Sequence, residues 1–71
     1  MKIGIACDKY KVKKFISELA KAGFEHVEEH GHIFKSPSSP VLITIDEVPQ
    51  DRVHDIHKLC HRLEIDFKRS N

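Results

Sequence analysis

The chain has 71 residues and a mass of 8.2 kDa, enough for one domain (residues 1–71) and too little for two. Apolar residues make up 39 % and charged residues 32 %, the mix of a folded globular protein rather than a disordered one. The net charge of +1 demands neither nucleic acid nor a basic partner.

No apolar run approaches a membrane span, and the start MKIGIACD lacks the apolar segment and cleavage site of a signal peptide. Two cysteines are too few for a disulfide scaffold and point to a reducing compartment, so a cytoplasmic location is expected.

In chain order, Lys2 to Cys7 reads as a strand, with Ile3, Ile5 and Cys7 on one parity. Asp8 is placed to cap a helix over Lys9 to Ala22, whose apolar residues Val12, Phe15, Ile16, Leu19 and Ala20 recur at spacings of three and four. Gly23 supplies the left-handed residue that ends helices. Phe24 to Lys35 reads as one long irregular strand with Gly31 at a bulge or turn, a tight hairpin being the alternative.

Ser36 to Pro40 is a connection, because its prolines and serines continue neither a helix nor a central strand. Val41 to Asp46 is a buried strand. A second helix is expected from Pro49 to Leu63, with Val53, Ile56, Leu59, Cys60 and Leu63 on its apolar face. Glu64 to Lys68 alternates polar and apolar, as an edge strand does, and the tail 69–71 is expected to fray.

The order strand, helix, strand, strand, helix, strand resembles the ferredoxin-like fold, which includes the small-molecule-sensing ACT domains. The resemblance covers the whole chain as topology. It implies an α+β, ferredoxin-like βαββαβ sandwich, an antiparallel sheet with two helices on one face. The opposite sheet face would then carry Gly4, Ala6, Leu42 and Thr44. These small and aliphatic residues lack the stacking aromatics of RNA-recognition motifs. They do permit close backbone approach, so self-pairing as a homodimer is a second expectation.

Six histidines in so short a chain form two groups. His54, His57 and His61 fall on one stripe of the second helix, about 60° wide at about 100° per residue. His57 and His61 are one turn apart, a spacing that can hold zinc. His26, His30 and His32 share parity, which would set them on one strand face. The cysteine pairs that complete a zinc signature are absent from the sequence.

Charge is distributed unevenly. Residues 1–23 carry six lysines and two acids, whereas residues 24–66 carry four basic and nine acidic residues. Such polarity favours oriented docking on a partner protein. Lys11, Lys14 and Lys21 on the first helix and Arg52, Asp55 and Lys58 on the second are the candidate contacts. The lysines could also contact phosphates, but no arginine stands among them.

Cys7 lies where a helix N-terminus can activate a thiol, yet no glycine-rich phosphate loop, Gly-x-Ser-x-Gly elbow or His-Glu-x-x-His motif occurs. The expected function is therefore non-enzymatic: a small protein–protein interaction module, regulator or inhibitor of a larger assembly, of the kind carried by phages or mobile elements. A histidine-based metal or small-ligand sensor is the alternative, and a nucleic-acid or phosphate binder is the third reading.

Overall fold

The structure, a computed structural model, describes residues 1–70, with side chains through Phe67. Its elements are β1 (Ile3–Cys7), α1 (Val12–Lys21), β2 (Val27–His32), β3 (Val41–Ile45) and α2 (Val53–Ser70). A 3-10 turn precedes each helix, at Lys9–Lys11 and Gln50–Arg52. Asn71, the last residue of the expected frayed tail, lies outside the described residues. Together these make a small α+β domain with a three-stranded antiparallel sheet in the order β1-β3-β2.

The central strand organises the core. Ile43 pairs with Ile5 on one side and Glu29 on the other, and Ile45 pairs with Ile3 and Val27. Val41, Ile43 and Ile45 are wholly buried beneath the apolar stripes of α1 (Val12, Phe15, Leu19) and α2 (Ile56, Leu59, Leu63). On the other face Gly4 and Ala6 are exposed, and Leu42 and Thr44 are half-buried.

The entry to α1 differs from expectation. The Asp8 side chain makes no capping hydrogen bond. Its carboxylate instead lies 3.3 Å from Lys11 Nζ, and its carbonyl accepts the Lys11 N–H at 2.9 Å to close the 3-10 turn. The exit does follow the glycine rule. Gly23 takes φ 95°, and the N–H groups of Phe24 and Gly23 donate to the carbonyls of Leu19 and Ala20 at 3.1 and 3.0 Å. This crossed pair satisfies carbonyls that the helix leaves free and turns Phe24 into the core.

β2 is shorter than the expected strand and carries a bulge between Glu29 and Gly31, with Gly31 at φ 88°. The extra residue, His30, reverses facing parity along the strand. Pro49 stays extended, with ψ 142°, so α2 begins at Val53 rather than at the proline.

The expected edge strand over 64–68 does not form, because α2 continues through it to Ser70. Two periods fit Glu64-Ile65-Asp66-Phe67-Lys68 equally well in the sequence. Burial selects the helical one: Phe67 extends the stripe of Ile56, Leu59 and Leu63 and packs on the core, while Ile65 points outward. The element order is therefore βαββα, and the sixth element of the expected sandwich is the end of its second helix. Among the described residues, no helix is long and apolar enough to cross a membrane.

Candidate functional site

Cys7, Val41 and His32 align across the sheet, so β1 and β2 end where β3 begins. The 9–11 turn and the 33–40 loop leave the sheet at that end, and the last turns of α2 pack against the 9–11 turn. There the Tyr10 ring stands edge-on to Phe67 at 5.8 Å, and Phe67 stacks on Phe15 at 6.4 Å. Tyr10, Lys13, Lys14, Leu63, Asp66 and Phe67 line a groove of about 290 Å³. Tyr10 is 69 % exposed and Phe34, on the neighbouring loop, 67 % exposed.

Local bonds hold that loop in place. Ile33 N–H donates to the Pro40 carbonyl at 2.8 Å. Ser39 Oγ accepts the Phe34 N–H at 3.3 Å and lies 3.0 and 2.8 Å from the carbonyls of Phe34 and Ser36. The apolar side chains Ile33 and Phe34 are thus presented by a braced loop, with Lys35 next to them. The opposite end of the molecule is acidic: Glu25, Glu28, Asp46 and Glu47 line a shallow site of about 280 Å³ with Lys2 and His26.

The contacts expected from the sequence are placed differently from one another. Lys11 is buried rather than exposed: its ammonium pairs with Glu64 at 2.8 Å and lies 5.6 and 5.4 Å from the ring centres of Tyr10 and Phe67. The hydrogen bond to Glu64 leads the effects that hold its pKa up at about 12. Lys14 and Lys21 both face Glu18, at 3.1 and 3.7 Å, and Lys14 leads the effects that hold the Glu18 carboxyl below its usual range.

Arg52 pairs with Asp55 at 2.7 Å, donates to the Ala22 carbonyl at 3.2 Å and covers the Phe24 ring at 4.8 Å. It thereby closes the end of α1. Lys21, Asp55 and Lys58 meet along a groove of about 430 Å³ between the helices, so the structure does bring these three together.

The histidines do not converge. His54, His57 and His61 lie exposed on α2. His26 Nε2 is 3.0 Å from Glu47, and His30 Nε2 is 2.6 Å from Thr44 Oγ1 on the open sheet face. His32, beyond the bulge, sits opposite Val41, with Nδ1 2.8 Å from the Ser39 carbonyl oxygen. The bulge separates the expected one-face trio. Among the described residues, no three His, Cys, Asp or Glu side chains come together to hold a metal ion.

Burial, reinforced by the Asp8 and Glu64 carboxylates, pushes the Cys7 thiol up to about 11. At neutral pH only about one thiol in ten thousand is then ionised, the reverse of an activated nucleophile.

Tyr10, Phe34 and Phe67 were absent from the contacts expected from the sequence. The signal for Tyr10 was an aromatic residue inside the lysine run Lys9 to Lys14. Phe67 was obscured by the strand reading. Compared with protein-family models, curated proteins and solved structures, the chain matches none.

Proposed function

We propose that the protein works without catalysis, as a small regulator or inhibitor that binds a larger protein assembly through its aromatic end. In this reading the chain is a ferredoxin-like sandwich whose last strand has been absorbed into α2. The observation that carries the proposal is the groove walled by Tyr10 and Phe67 and rimmed by Lys13 and Lys14, with the exposed Phe34 on the loop at the same end of the sheet. Exposed aromatics on a fixed frame lose little entropy on binding and are the usual anchors of protein interfaces. Lys13 on that rim favours an acidic group on the partner.

A nucleic-acid reading is less well supported, because Lys9, Lys11, Lys14 and Lys21 already face carboxylates. Phosphate binding draws its strength from cations able to displace counterions.

The test compares proteins retained from source-cell lysate by wild type, a Tyr10→Ala/Phe34→Ala double variant and Lys58→Ala. A protein retained by wild type and Lys58→Ala but lost by the folded double variant supports the reading. Identical retention by all three rejects it.

A further inference from the structure

The two outer strands differ in how they meet solvent. β2 is defended: it carries Glu28 and Glu29, a bulge at His30, and an ion pair from Glu29 to Lys9 at 2.8 Å. Such features discourage strand addition. β1, reading IGIAC, has no charge, proline or bulge between Lys2 and Asp8. Among the described residues, no strand pairs with its outer edge.

Hydrogen-bond parity identifies the outward groups. Met1 exchanges both backbone bonds with Val48, at 2.8 and 3.1 Å. The Asp46 N–H turns away to β2, donating to the His26 carbonyl at 2.9 Å. Alternation then directs the backbone of Ile3, Ile5 and Cys7 toward β3, and that of Gly4 and Ala6 toward the open edge.

The layers also differ in width. Three strands span about 14 Å, whereas two packed helices span about 20 Å. The helical layer is wider by about one strand, and α1 contacts β2, which leaves α2 for the β1 side. The α2 flank away from α1 carries Val53, Cys60 and Glu64; Glu64 and Cys60 lie near enough to Cys7 to raise its pKa. Val53 and Cys60 are half-buried, as are Ile3 and Ile5 below them. This half-covered apolar strip ends in charges of opposite sign, Lys2 and Asp8.

We infer that the β1 edge accepts an extended segment of a partner protein as a fourth, antiparallel strand. The segment would place alternate apolar residues beneath α2, a basic residue against Asp8 and an acidic residue against Lys2. A second whole copy does not fit, because it would bring its own α2 onto the same face at roughly strand spacing, well inside the 8–10 Å that packed helices need. This edge is separate from the aromatic groove.

The chain supplies a probe without helices. A peptide of residues 1–9 carrying Cys7→Ser, laid antiparallel about Ile5, sets its Asp8 against Lys2 and its Lys2 against Asp8. In amide-resolved NMR, the peptide at millimolar concentration should slow hydrogen exchange at Gly4 and Ala6 and leave unchanged the outward amides of the other edge, Val27 and His32, which lie opposite Ile45 and Val41. N-methylation of the peptide at Gly4 and Ala6 should weaken binding about tenfold or more, which tests the edge without altering the protein. Ala6→Pro should do the same in the protein, since an outward N–H on an edge strand is dispensable for folding. Tyr10→Ala should leave peptide binding unchanged, whatever becomes of the aromatic groove. Absence of protection at Gly4 and Ala6, equal binding by the methylated peptide, or a dimer of the whole chain in native mass spectrometry that Ala6→Pro abolishes would overturn the inference.

Discussion

Cys7 and Lys11 stand close to the same two carboxylates, Asp8 and Glu64, and both titrate upward of their ordinary values. Burial, then the two carboxylates, raises the thiol from 9.0 to about 11; the hydrogen bond to Glu64 leads in raising the ammonium from 10.5 to about 12. In each case the folded state holds its proton more tightly than the unfolded chain does. The thiol's contribution to stability is therefore full below pH 9.0 and lost as pH rises through about 11. The ammonium's is full below pH 10.5 and lost as pH rises through about 12. Urea midpoints of the wild type should thus fall from pH 9 upward. Cys7→Ala should make that fall shallower between pH 9 and 11, leaving the share of Cys60, whose thiol pKa burial also raises; an unchanged slope would contradict the assignment. Lys11→Met should cost about 1–3 kcal/mol at neutral pH, and its deficit should shrink above pH 10.5. Neither role was legible in the sequence. Helical spacing put Lys11 on a solvent face, but the 3-10 turn and a partner 53 positions away draw it inward. The bond from Arg52 to the Ala22 carbonyl is equally silent in the sequence, since its acceptor is 30 positions distant.

At the scale of elements, the sequence disclosed the strands and helices whose pattern fitted one period alone. β1, β3 and the start of α1 alternate or recur in a single way, and they formed within a few residues of expectation. The segment from Glu64 onward fitted both periods, and only packing against Phe15 and Tyr10 decided between them. The bulge at His30 was equally local and equally silent, because Gly31 marks irregularity without saying which neighbour is left over. The helical assignment separates two substitutions that a strand would equate. Ile65 points outward, so Ile65→Glu should change stability by no more than about 0.5 kcal/mol. Phe67 is packed on the core, so Phe67→Ala should cost about 1–3 kcal/mol, less than a fully buried phenylalanine. Chemical denaturation of both variants measures the contrast. Equal costs would place both side chains on one face, as an edge strand does.

At the scale of the whole molecule, the folding order carries charge polarity from the sequence into space. α1 starts, and α2 ends, where the sheet's lysine- and aromatic-rich loops lie, while the acids of β2 and of the turn after β3 gather at the other end. The charge asymmetry was legible along the chain; its pairing with Tyr10 and Phe34 was not, because the loop and turn that present them are far apart in sequence. A domain of this size also has little stability to spare, a single core of this scale supplying about 3–5 kcal/mol. Its centre is Ile43, wholly buried between both helices and paired with both outer strands. Ile43→Val removes one methylene, which costs about 0.5–1.5 kcal/mol and should leave a cooperative, lower-melting fold. Ile43→Ala costs about 2–5 kcal/mol, comparable to the whole margin, because β3 is fixed on both sides and cannot collapse into the space. Calorimetry should therefore find a sharp transition for the valine variant and none for the alanine variant at neutral pH. A cooperative transition in Ile43→Ala only a few degrees below wild type would mean that stability is spread beyond the β3 core, with the helix–helix contact and the Lys11–Glu64 pair holding more of it than burial implies.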